Sequence, residues 1–251
     1  MVIFDQLTLP AGLKVDTRSN IRPDRPNVIL SSGYGIYGFE DPVQLALIDR
    51  LEELDIGWAQ YTYAERNSKN RVTDLEISSG TASLLKVYDW VSSQHSSNIG
   101  LFGISFGGNV SLEAALQRNP TLVLLINPVF DYFDYRRLQL GPDVMDRWLR
   151  EHRITMTYDD AKPVSYYRFI EEAETQNLLE RVKELQTEII ACQGDADHIL
   201  GTRYVEEFSR LSPRFSAVPI PGADHIFSSD AAITAFLAVV GERLQEWALV
   251  G

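Results

Sequence analysis

The stretch Ile99-Gly-Leu-Phe-Gly103-Ile104-Ser105-Phe106-Gly107-Gly108-Asn109 decides how this chain is read. Ile99–Gly103 is a short apolar strand, and Asn109–Leu116 reads as a helix stopped near Pro120. Between them stands Gly-x-Ser-x-Gly, at positions 103, 105 and 107. A chain that turns sharply from strand to helix around a serine exposes the hydroxyl at the turn. It can do so only if small residues flank the serine two positions away on either side. An ordinary Gly/Ser loop is the competing reading.

Outward from this turn, strands and helices alternate. Val2–Leu9 and Leu13–Thr17, joined by the turn residues Pro10-Ala-Gly12, read as a β-hairpin. Asn27–Leu30, Gly57–Tyr63, Leu122–Ile126, Glu188–Cys192 and Ser216–Ile220 read as strands. Val43–Leu54 carries apolar residues at helical spacing behind the start signal Asp41-Pro42. Thr81–Val91, Thr202–Leu211 and Ala231–Leu249 read as further helices. Short apolar strands alternating with such helices predict an α/β fold with a mostly parallel central sheet covered on both faces. The pattern pauses over about 130–186 and then resumes. That segment is expected to be a mostly helical cap inserted into a single domain spanning 1–251.

Composition narrows the function. The chain has 251 residues and a net charge of −12, a balance that a nucleic-acid backbone would repel. One cysteine, Cys192, excludes an internal disulfide and any multi-cysteine metal cluster, and it reads as an inert buried thiol. No basic leader precedes an apolar run at the N-terminus, and no apolar stretch approaches the roughly 18 residues of a membrane span. A cytoplasmic protein without a membrane span is the expectation.

A serine hydroxyl is a weak nucleophile until a base takes its proton and an acid orients that base. Of His95, His152, His198 and His225, the last follows the final strand in Pro221-Gly-Ala-Asp-His225, where the base belongs in the chain order Ser, Asp, His. His95 lies in a serine-rich loop, His152 in the arginine-rich insertion and His198 toward the surface. Gln193-Gly-Asp195-Ala-Asp197 supplies the acid; Asp197 is preferred, with Asp195 read as a turn residue bonding its own backbone. Asp131, after the Leu122–Ile126 strand, is a second candidate. The developing oxyanion needs fixed donors. The N–H of Phe106 is one, and the N–H of Tyr34 in Ser32-Gly-Tyr-Gly35 is the other, unless that loop is a simple tight turn.

Taken together, these residues resemble the α/β-hydrolase fold. Asp74–Trp90 through Asn98–Leu101 further resembles the bacterial bioluminescence acyl transferases, fatty acyl thioesterases that release long-chain acid from acyl carrier protein for aldehyde synthesis. The Ser32–Tyr34 loop, the Asp195/Asp197 turn and the Gly222–His225 turn sit where that family has its oxyanion loop, acid and histidine. Gly103 and Gly107 follow the general hydrolase pattern instead. The resemblance implies a serine-dependent acyl-thioester hydrolase or acyl transferase, acting on an acyl chain carried by acyl carrier protein or coenzyme A. Alternatives are a carboxylesterase on small esters, or a lyase, cyclase or ligand receptor of the same fold. No metal or organic cofactor is called for.

The insertion is rich in aromatic residues. Tyr132, Phe133, Trp148 and Tyr167 are candidates for an acyl pocket; the same rings could equally form the core that docks a helical cap. Residues 136–153 carry five arginines against Asp143, Asp146 and Glu151. They could steer an acidic carrier protein, or form a solvated helix face.

Overall fold

The computed structural model describes residues 1–10, 12–34, 38–64, 75–94, 96, 98–155, 164–176, 178–198, 200 and 202–250. Eight strands build the central sheet: β1 (Ile3–Thr8), β2 (Lys14–Asn20), β3 (Asn27–Ser31), β4 (Gly57–Tyr61), β5 (Ile99–Ile104), β6 (Leu122–Ile126), β9 (Glu188–Gly194) and β10 (Phe215–Ile220). Their order is β1-β2-β4-β3-β5-β6-β9-β10. The β1–β2 and β2–β4 pairs are antiparallel and the other pairs are parallel.

The middle strands β3, β5 and β6 are buried at every residue, which is why their sequences are dominated by apolar residues. Successive side chains still point to opposite faces. Val28, Leu30, Phe102, Ile104, Leu124 and Ile126 meet α1 (Pro42–Glu53) and α9 (Asp230–Val250). Ile29, Leu101, Val123 and Leu125 meet α2 (Ile77–Ser93), α3 (Phe106–Arg118) and α8 (Arg203–Leu211). Cys192 lies in β9 on the first of these faces, and burial pushes its thiol up to about 12.

Asp41 caps α1 by accepting the N–H groups of Val43 and Gln44 at 2.9 and 3.1 Å. The helix α2 begins a turn earlier than its apolar spacing predicts. There the Glu76 N–H donates to Ser79 Oγ at 3.1 Å and supplies a start signal that periodicity does not carry.

Between β6 and β9 lie α4 (Tyr132–Leu140), α5 (Pro142–Glu151), α6 (Tyr167–Gln176) and α7 (Leu178–Val182). They are accompanied by a small antiparallel ribbon, β7 (Arg153–Thr155) with β8 (Val164–Tyr166). The segment is mostly helical, as its sequence predicts, and the ribbon is what the sequence does not show. Three-residue strands are too short for a period of two to register. Tyr132, Trp148 and Phe169 of this segment join the core cluster on the α2/α3 face. Among the described residues no helix is long and apolar enough to cross a membrane.

Candidate active site

Ser105 stands between the end of β5 and the first residue of α3, with φ 52° and ψ −111°. A serine in this region is strained and is held there by its surroundings. Its N–H donates to the Ile126 carbonyl at 2.9 Å, which ties the turn to the neighbouring strand. The flanking glycines are required by contact. A Cβ on Gly103 would stand 2.3 Å from the Gly107 carbonyl oxygen, and one on Gly107 would stand 2.3 Å from that of Ser31. Helix α3 therefore starts hard against the ends of β3 and β5, and the serine is the residue pushed out of line.

His225 and Asp197 meet this serine. The Ser105 Oγ lies 2.9 Å from His225 Nε2, and His225 Nδ1 lies 2.6 Å from Asp197 Oδ2. In the neutral tautomer selected by a carboxylate acceptor, Nδ1–H donates to Asp197 and Nε2 is free to accept the serine proton. The Asp197 side chain is fully buried and that of His225 is 20% exposed. The other carboxylate oxygen of Asp197 accepts the Leu200 N–H at 3.1 Å, which fixes its rotamer.

The other candidates fall elsewhere. Asp131 caps α4 by accepting the Asp134 N–H at 2.8 Å. Asp195 is a turn residue, but its carboxylate accepts the Gly222 N–H at 2.7 Å, 27 residues away, and so braces the turn before His225. His152 ends α5 in the left-handed region, and His198 is exposed. His95 lies outside the described residues.

Sequence patterning does not single out Asp224, which stands beside the base. It accepts the amide and hydroxyl of Ser228 at 2.8 and 2.5 Å. Burial opposes its ionisation, but the Ser228 hydroxyl and amide, together with the amides of Ile226 and Phe227, outweigh burial and hold its carboxyl below the usual 3.8.

Phe106 opens α3, so its N–H belongs to the first helical turn and has no intrahelical acceptor. The Tyr34 ring packs edge-on against Phe106 with centroids 5.7 Å apart, which brings the loop after β3 to the serine turn. That loop is pinned from behind, because the Tyr63 hydroxyl donates to the Ser32 carbonyl at 2.7 Å and Gln44 Nε2 donates to Ser32 Oγ at 3.0 Å. Gly35 lies outside the described residues.

Tyr132 packs against Phe106 at 5.9 Å and Phe169 at 5.1 Å, and Trp148 stacks on Phe169 at 6.5 Å. Phe133 is partly buried against the same core cluster and lines a cavity of about 290 Å³ with Phe130, Ala173 and Leu178. The Tyr167 side chain lies outside the described residues. The arginine patch loses a member. Arg136 is 1% exposed, and its guanidinium lies 5.2–5.8 Å from the rings of Tyr34, Tyr132, Tyr135 and Phe169. Helical spacing does not distinguish it from Arg137, whose side chain is exposed and pairs with Asp134. Among the described residues no group of three His, Cys, Asp or Glu side chains could hold a metal ion.

No family model and no curated protein matches this sequence. Solved structures do match. Est1E from Butyrivibrio proteoclasticus superposes with a TM-score of 0.77 at 18% identity, over 98% of each chain. α/β Hydrolase domain-containing protein 10 from mouse gives 0.80 at 17% identity, over 97% of this chain and 99% of its own. The α/β hydrolase GrgF from Penicillium sp. sh18 gives 0.72 at 16% identity, over 98% and 99%. The protein has the α/β-hydrolase fold.

Proposed function

We propose that this protein is a serine hydrolase that forms an acyl-enzyme on Ser105, and that acyl thioesters are its substrate class. The observation that carries the reading is the pair of contacts at His225, 2.9 Å to Ser105 Oγ and 2.6 Å to Asp197 Oδ2. In this reading Ser105 Oγ bonds to the acyl carbon while His225 Nε2 takes the hydroxyl proton. Asp197 stabilises the imidazolium that forms. The tetrahedral oxyanion accepts the N–H groups of Phe106 and Tyr34. Collapse breaks the carbon–sulfur bond, and the departing thiolate takes the proton from His225. Water then attacks the acyl-enzyme, giving up its proton to His225, which passes it to Ser105 Oγ as the acyl carbon–oxygen bond breaks and the carboxylic acid leaves.

The thioester and the carrier rest on the resemblance of residues 74–101 and of the three site loops to the acyl transferases, and the cytoplasmic setting rests on the composition of the sequence. The acyl group is carried by coenzyme A or acyl carrier protein, and the exposed Arg147 and Arg150 offer an acidic carrier a contact. The segment 130–186 acts as a cap over the serine, with Tyr132 and Trp148 beside the acyl chain. A carboxylic ester is the second substrate class. It is favoured by the likeness to Est1E, which has also been solved with ferulic acid bound.

Hydrolysis of a series of acyl-coenzyme A thioesters beside matched p-nitrophenyl esters tests this. Thioester turnover that falls more than a hundredfold in Ser105→Ala is expected. Activity of that variant within tenfold of the parent removes the mechanism; turnover of the esters alone moves the substrate to the second class.

A further inference from the structure

One buried side chain that takes no part in the steps above touches the segments that carry Asp197 and His225, and its neighbour in the chain holds the serine turn. Asn127 follows the last residue of β6 and is fully buried, with φ 42°. Its Oδ1 accepts the Gly194 N–H at 2.8 Å, three residues before Asp197. Its Nδ2 donates to the carbonyls of Asp224 and His225, both at 2.9 Å. Its backbone N–H donates to the Cys192 carbonyl at 3.0 Å. The residue before it, Ile126, accepts the Ser105 N–H.

We propose that Asn127 is a positioning residue that sets the register of the acid and histidine loops against the serine turn. The inference rests on the serine-hydrolase reading and deepens it. Asn127 touches none of the reacting atoms.

The chemistry of the primary amide explains why asparagine suits the position. It is small enough to adopt a left-handed φ at low cost. It presents one acceptor and two donors in one rigid plane. Three backbone groups from two loops, 194 and 224–225, converge on that plane. Aspartate has the same shape and keeps the acceptor facing Gly194. It loses both donors, however, and turns a negative oxygen toward two carbonyls. Glycine keeps the backbone conformation and leaves all three groups without the amide. Because Asn127 is fully buried, each lost bond leaves a buried backbone group without its partner.

The test uses the full chain with p-nitrophenyl butyrate as substrate, below the melting temperature of each variant. In Asn127→Gly we expect kcat to fall at least tenfold with KM changed by less than threefold, and the rate of fluorophosphonate inactivation to fall in parallel with kcat. Asn127→Asp is the second variant, for use if the glycine chain does not fold, and the same split is expected of it. A merely structural residue would lower the melting temperature and leave kcat of the folded fraction within threefold; that result overturns the proposal. A wild-type chain that neither turns over the ester nor takes the fluorophosphonate overturns the serine-hydrolase reading, and this inference with it. An active wild type beside fully active variants overturns the inference alone.

Discussion

The ring of Tyr135 stacks on the imidazole of His225, with centroids 5.7 Å apart and 29° between the planes. Tyr135 belongs to α4, in the segment between β6 and β9, whereas His225 belongs to the loop after β10. The insertion thus touches the base itself. The buried guanidinium of Arg136 lies 5.3 Å from the centre of the Tyr135 ring. The same aromatic ring thus contacts both the imidazole and a buried cation.

Removing that face should loosen the base without removing it. Stacked aromatic pairs contribute about 0.5–1.5 kcal/mol beyond their buried area, which corresponds to a factor of about two to twelve in rate. Tyr135→Ala is expected to lower kcat/KM by that factor, and Tyr135→Phe to restore most of it. Steady-state kinetics on p-nitrophenyl butyrate checks this. A phenylalanine variant as impaired as the alanine variant would show that the hydroxyl, not the stack, matters.

The glycine at the serine turn makes a sharper prediction. In Gly107→Ala the added methyl meets the Ser31 carbonyl oxygen at 2.3 Å, so α3 must withdraw from β3. Overpacking of this kind costs about 1–3 kcal/mol. Urea denaturation is expected to show a loss in that range, and ester turnover to fall more than tenfold because Ser105 moves with the helix. Unchanged stability and turnover would mean that the two backbones do not approach so closely.

The carboxyl of Asp224 predicts how stability depends on pH. Hydrogen bonds hold it below its ordinary 3.8 in the folded chain, so it contributes stability above 3.8 that is lost as pH falls through the lowered value. The stability gap between the parent and Asp224→Ala should therefore be full near neutral pH and shrink below 3.8. Denaturation midpoints across that range measure it. A gap independent of pH would show that the charge on Asp224 contributes nothing.

Much of this was legible in the sequence because the decisive signals are local. Gly103, Ser105 and Gly107 stand between a strand pattern and a helix pattern, and the steric need for both glycines can be argued from spacing alone. Asp197 and His225 could be singled out by their place after β9 and β10. What stayed hidden depends on distant partners. Asn127 is one polar residue after an apolar strand until Gly194, Asp224 and His225 are brought to it. Arg136 and Arg137 are adjacent and alike in sequence, and only the packing of α4 buries one and exposes the other. The long reach of Asp195 to Gly222 could not be told from a local turn bond, since both leave the same Gly-Asp pattern.

The most direct measurement of the central claim, that Ser105 is the nucleophile, is the intact mass of the chain after reaction with a fluorophosphonate. The account predicts one adduct per chain, mapped to Ser105 by peptide sequencing and absent in Ser105→Ala. Labelling that persists in that variant, or an adduct on another residue of the parent, would contradict it.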